Sequence, residues 1–171
     1  LAQPKRIPDA YKEIAAAGFA IFYISGLLSI AAGLSRSQYG AVGLMSLFSI
    51  AWAGDTMAFF GGKFLGKRKL YEAVSPKKTW MGSIFGLGGS IGGVALVHAL
   101  MHSPLEWHWV LVMGAIGGAL EQVGDLAESL LKRSAGVKDS GNLIPGHGGM
   151  LDRIDGLLFA APVVYLFYRF A

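Results

Sequence analysis

Cysteine is absent from the 171 residues, which excludes disulfides, thiolate metal ligands and a cysteine nucleophile, and leaves the redox compartment open. Charge is scarce as well. Asp, Glu, Lys and Arg make up 15% of the chain, against roughly 25% in soluble domains. With 53% hydrophobic residues and a mean hydropathy of +0.49, that shortage points to one membrane domain spanning residues 1–171. No initiator methionine opens the chain and no basic tip precedes a short apolar core. A cleavable signal is therefore not expected, and the chain reads as a processed product or a fragment. H-E-x-x-H is missing too, which removes the common zinc-protease signature. Gly61–Lys67, GGKFLGK, imitates P-loop spacing, but Arg68 stands where Ser or Thr is required and an apolar run replaces the preceding strand.

What is present is length and apolarity in the right portions. Five stretches, near 14–34, 40–62, 80–101, 108–131 and 154–170, reach the roughly 20 residues that cross a bilayer. The expected fold is an all-α integral membrane bundle of about five helices. Basic residues sort by connection. Lys5, Arg6 and Lys12 precede the first span; Lys63, Lys67, Arg68, Lys69, Lys77 and Lys78 lie between the second and third; Lys132, Arg133, Lys138 and Arg153 lie between the fourth and fifth. The other two connections hold only Arg36. This alternation predicts a cytoplasmic N-terminus and two cytoplasmic basic loops, with the C-terminus outside. Positive charge gathered on one membrane face argues against duplex nucleic acid as a partner and suits an anionic ligand. Glycines four apart, at 82/86, 88/92, 89/93 and 114/118, let helix backbones approach closely within the bundle, or in a homodimer.

Carboxylates sit where lipid should be. At 100° per residue, Glu121, Asp125, Glu128, Ser129 and Lys132 share one side of the fourth span. Glu128 and Lys132 alone would make an ordinary i,i+4 pair. Asp125, about two turns inside the helix end, and Asp55 in AWAGDTMAFF need another reason, because ionisable groups at membrane depth face a protein interior or a wet cavity. Asp152 and Asp155 start the fifth span, where carboxylates also suit the helix dipole. If the fourth and fifth helices are neighbours, Asp125 and Asp152 converge near the cytoplasmic face. Such hard oxygen ligands suit Mg²⁺, with Glu128 and Asp155 in support.

Phosphate-binding elements surround them. PGHGG offers the unobstructed backbone N–H groups of Gly146, Gly148 and Gly149. His147 beside them is either a phosphate donor or a loop-stabilising residue. Lys132, Arg133, Lys138 and Arg153 add positive charge. Ser75 and Pro76 open a predicted turn, after which Lys77, Lys78 and Thr79 stand ahead of the third span, suited to phosphate or to topology alone. His98, His102 and His108, with Trp107 and Trp109, read as an interfacial belt rather than a metal site.

GDLAESLLKRSAGVKDSGNLIPGHGGMLDRIDG, from Gly124 to Gly156, closely resembles the C-terminal signature of bacterial phosphatidate cytidylyltransferases, and GDTMAFFGGKFLGKRKL and SPKKTW resemble that family's middle region in order and spacing. The resemblance implies an inner-membrane enzyme that joins CTP to phosphatidic acid, releasing pyrophosphate and CDP-diacylglycerol, with Mg²⁺ and a monovalent cation such as K⁺. It places metal-binding aspartates at Asp125 and Asp152 and catalytic roles at Lys132, Arg133, Lys138, Asp139, His147 and Arg153. Substrate binding falls to Ser75, Pro76, Lys78 and Thr79, joined by Asp55 and the PGHGG glycines. Family members are usually longer, so the chain matches their C-terminal core. The alternative, a transporter or ion pathway through the intramembrane carboxylates, lacks repeat symmetry and a polar trail toward the outer side.

Overall fold

The computed structural model describes residues 7–141 and 149–171. Helices dominate them. A helical run comprises α1 (Ile7–Ala20), a wider π-helical segment (Ile21–Gly26) and α2 (Leu27–Ser35). It is followed by α3 (Gly40–Leu65), α4 (Trp80–Met101), α5 (Trp107–Ser134) and α6 (Leu151–Arg169). The predicted spans fall within these helices to a residue or so, because a long apolar run is a local property. Four of them, 14–35, 40–65, 80–101 and 107–134, are long and apolar enough to cross a membrane. The fifth, α6, has 19 residues, about 28 Å of helix at 1.5 Å per residue, and carries Asp152, Arg153 and Asp155 in its first turns. The chain is an all-α membrane protein apart from one hairpin.

That hairpin departs from expectation. Ser75 and Pro76 do not open a turn: β2 (Ser75–Thr79) pairs antiparallel with β1 (Lys69–Tyr71), in register Lys69 with Thr79 and Tyr71 with Ser75. The turn lies at 72–74. Proline is tolerated because both strands of a two-stranded sheet are edges, where a missing N–H costs no ladder bond. Thr79 ends the strand and starts the helix, its Oγ1 accepting from Gly82 N–H at 3.0 Å as the N-cap of α4. Gly61 and Gly62 lie inside α3, so no phosphate loop forms there.

Close approach sets the bundle. The most extensive pairing is α3 with α4, then α5 with α6 and α4 with α5; α2 and α3 also pack on α6. A Cβ on Gly89 would run into Ala53 O and Met57 Cβ, and one on Gly118 would come within 2.6 Å of Ser90 Cβ. The 82/86, 89/93 and 114/118 pairs thus serve packing within the chain. A Cβ on Gly88 or Gly92 meets nothing within 4 Å, so this pair takes no part in that close packing. Leu47, Ile50, Val94, Val110, Met113 and Val164 fill the centre with no exposed surface. In the π-helical segment, Tyr23 turns inward, its ring edge-on to Phe159 at 5.4 Å and its hydroxyl donating to the Asp155 carbonyl at 3.3 Å.

Candidate active site

At the end of the bundle where the hairpin sits, α3, α4, α5 and β2 enclose a cavity of about 390 Å³. Asp55 comes from α3, Glu121, Gln122 and Asp125 from α5, Ser83 from α4, and Lys77, Lys78 and Thr79 from the hairpin; Lys63, near the end of α3, completes the polar wall. Ala58, Phe59 and Leu70 form the apolar part. Helical spacing explains the acids: Glu121 and Asp125 are four apart and share a face. The hairpin explains the bases, because the last residue of β2 caps α4 and so fixes Lys77 and Lys78, just before it, beside the cavity. Lys78 Nζ forms an ion pair with an Asp125 oxygen. Glu121 is buried at the meeting of three helices: a Cβ on Gly156 of α6 would come within 2.7 Å of its Oε1, and one on Gly54 of α3 within 3.8 Å of Oε2. Gln122 is spent on the helix pair, exchanging hydrogen bonds with Ser83 through its Oε1 and, at 3.1 Å, through its Nε2 to the Ser83 carbonyl.

A second polar group lies along the α5–α6 seam. Lys132 Nζ stands between Glu128 and Asp152, ion-paired with the first and donating to Asp152 Oδ1 at 2.6 Å. Asp152 Oδ2 accepts from Ser140 N–H at 2.9 Å, Ser140 Oγ–H at 2.8 Å and Gly149 N–H at 2.7 Å. Asp152 therefore ties both ends of the α5–α6 loop to the start of α6. Glu128 is 1% exposed, and neither of its oxygens has a partner with hydrogen-bond geometry among the described residues. Asp155 connects the two groups, lying within electrostatic reach of Asp125, Glu128 and Lys132, while its Oδ1 accepts from Gly156 N–H at 2.8 Å.

The predicted residues distribute as follows. Asp55, Asp125, Lys78 and Thr79 come together at the cavity; Glu128, Lys132, Asp152 and Gly149 come together at the seam. Asp125 lines the cavity and Asp152 does not, and each pairs with its own lysine. Ser75 and Pro76 stand at the far end of β2, Arg133 donates to the Val137 carbonyl at 3.1 Å beyond α5, and Lys138 and Asp139 lie on the exposed loop. Arg153 projects from the first turn of α6. Gly146, His147 and Gly148 lie outside the described residues. Lys77, Lys78 and Thr79, expected to suit phosphate, all line the cavity, whereas Lys63, Ser83, Glu121 and Gln122 were not foreseen as wall residues. Glu121 had a signal, since helical spacing already set it on the face of Asp125; Ser83 and Gln122 had none. His98, His102 and His108 do not converge: His98 packs edge-on to Trp107 at 4.3 Å and His108 pairs with Glu106 at 3.2 Å.

As a donor set these side chains fit a hard cation. They are oxygen ligands, and the buried Glu128 carboxylate has Lys132 as its ion-pair partner among the described residues. Among the described residues no three His, Asp or Glu side chains form a ready-made cage. Mg²⁺ does not require one, since it usually takes one or two carboxylates and completes its shell with phosphates and water.

Residues 4–171 match the model of the cytidylyltransferase family. The phosphatidate cytidylyltransferase of Brucella abortus biovar 1 (strain 9-941) is 44% identical over 149 residues, covering 86% of this chain and 54% of that protein. The protein of the same name from Synechocystis sp. is 48% identical over 124 residues, covering 70% of this chain and 41% of the relative. That from Haemophilus influenzae is 38% identical over 166 residues, covering 88% and 57%. The chain spans about half the length of the curated relatives it matches. The family-model match over 4–171 bears out the resemblance first read from Gly124–Gly156, and the chain belongs to the cytidylyltransferase family.

Proposed function

We propose that this chain carries the site at which CTP and phosphatidic acid react to give CDP-diacylglycerol and pyrophosphate, at the cytoplasmic face of a bacterial inner membrane. The observation that carries the reading is the cavity at the membrane end, where Lys63, Lys77 and Lys78 face Asp55, Glu121 and Asp125 beside exposed Phe59. Cationic side chains meet a polyphosphate there, and an apolar flank meets acyl chains.

No protein nucleophile is required. A phosphatidate oxygen, already anionic near neutral pH, attacks the α-phosphorus of CTP; the new P–O bond forms as the bond to pyrophosphate breaks. The protein's work is positioning and charge neutralisation. Lys77, Lys78 and Lys63 hold phosphate oxygens, and Thr79 keeps Lys78 in place through the α4 cap. Asp125 orients Lys78 in return. Lys132 holds the start of α6 against α5, so that Asp152, Ser140 and Gly149 stay together at one end of the bundle. Bound Mg²⁺, with Asp125, Asp152, Glu128 and Asp155 as candidate ligands, would neutralise charge on the departing phosphates. K⁺ as a companion ion is part of the same proposal. The closed apolar centre favours this reading over an ion pathway.

The test is formation of CDP-diacylglycerol from CTP and phosphatidate in nanodiscs, for this chain and for the complete protein. Asp125→Asn and Lys78→Gln are expected to lower kcat/KM by about 10²-fold or more, as losing a preorganised charged contact does. Wild-type turnover in both folded variants would remove the cavity from the reaction.

A further inference from the structure

The end of the bundle remote from this site holds a second polar cavity, of about 470 Å³, between the end of α2, the loop to α3 and the last turns of α6. Arg36, Ser37, Gln38, Tyr165, Tyr168 and Arg169 line it, and no lining residue is acidic. Among the described residues neither guanidinium has a carboxylate partner, although this membrane side is otherwise poor in basic residues. The Tyr168 hydroxyl is already engaged with Ser46 at 3.0 Å and Ser103 at 3.2 Å, and Ser37 Oγ–H donates to the Leu34 carbonyl at 2.8 Å. That leaves the two guanidinium groups, the Gln38 amide and the Tyr165 hydroxyl as donors without an acceptor among the described residues.

Arginines at helix C-termini also answer the dipole, and both of these qualify, Arg36 as the C-cap of α2 and Arg169 in the last turn of α6. Each helix end carries only about half a negative charge, screened at a surface. Two full positive charges exceed two such ends, and the N-terminus of α3, which has no side-chain cap, adds positive potential at the same loop. The cavity is therefore net positive and rich in N–H and O–H donors. Its place is the headgroup layer: exposed Trp107 and Trp109 mark the interface at this end, and Trp109 packs on Phe167 of α6 at 6.0 Å.

We propose that this cavity binds the phosphate group of an anionic ligand, forked between Arg36 and Arg169, at the membrane face opposite the candidate active site. Guanidinium forks match phosphate oxygens two at a time. A phospholipid headgroup and free phosphate share this chemistry, and the bilayer level of the cavity favours the lipid. A bound lipid there would clamp α2, α3 and α6 together at the end of α6 remote from Asp152.

The experiment compares lipids retained by the purified chain in native mass spectrometry, with phosphatidylglycerol, phosphatidylcholine of the same acyl chains, or inorganic phosphate added. CTP is kept saturating so that the other cavity is filled. Phosphatidylglycerol is expected to be retained over phosphatidylcholine, and Arg36→Gln with Arg169→Gln to weaken it by about tenfold per arginine. Gln38→Glu, which leaves both arginines in place and puts a repelling carboxylate on an exposed loop, is expected to weaken it too. It serves if the double variant fails to fold by circular dichroism and gel filtration. Displacement of phosphatidylglycerol by inorganic phosphate at equal concentration would support the site and name free phosphate as its ligand. Equal retention of the two lipids, or undiminished phosphatidylglycerol binding in the folded double variant or in Gln38→Glu, would overturn the proposal.

Discussion

Replacing Lys132 by Met keeps the side chain's length and removes its charge from between two carboxylates. The structure gives the consequence. Glu128 is 1% exposed and has no other ion-pair partner among the described residues, while the Lys132 side chain is 16% exposed and Asp152 keeps three donors on its second oxygen. The variant therefore strands one buried carboxylate rather than two. Breaking a buried pair from one side costs about 3–5 kcal/mol. The lower end applies here, because Asp152 stays satisfied. For a chain of this size, 3 kcal/mol corresponds to a fall in Tm of roughly 6–12 °C. Adding Glu128→Gln removes the stranded charge, so the double variant is expected to recover most of that loss, with a coupling of about 2 kcal/mol between the sites. Thermal unfolding in detergent reads this directly, and cytidylyl transfer read in parallel stays low in the double variant because the seam remains unclamped. A Lys132→Met protein as stable as wild type, or a double variant no more stable than the single, would refute the account of Lys132 as the counter-charge of Glu128.

Other outcomes follow from the packing and the caps. Gly89→Ala brings a Cβ to 2.8 Å from Met57 Cβ and is expected to cost about 1–3 kcal/mol by overpacking. Gly88→Ala, with nothing within 4 Å, should stay within about 0.5 kcal/mol; equal unfolding temperatures would contradict the α3–α4 contact. Thr79→Val removes the α4 cap at about 1 kcal/mol, and Thr79→Ser should restore both stability and the KM for CTP. Asp152→Ala releases Ser140 and Gly149, so amide exchange at both residues should rise together; unchanged protection would separate the aspartate from the loop.

Much of the architecture was legible because it is local. Apolar runs of spanning length need no partner to be recognised, and α3, α4 and α5 lie where those runs lie. Helical spacing likewise placed Glu121, Asp125, Glu128 and Lys132 on one face of α5 before any neighbour was known. Which cation answers which acid was a different matter. Lys78 reaches Asp125 because the segment at Ser75–Thr79 extends into a strand and brings the lysine over α5; Lys132 reaches Asp152 because α6 returns beside α5. Pairing depends on how closely helices approach, and that is set by glycines such as Gly89 and Gly118 meeting surfaces far away in sequence. The inward turn of Tyr23 and the cavity between Arg36 and Arg169 arise the same way, since each joins residues more than 130 positions apart. Hydrophobicity and periodicity determined which segments enter the membrane and which face of α5 is polar; only the packed helices decided where the charges meet, because attraction between side chains falls off over a few ångströms that sequence distance does not measure.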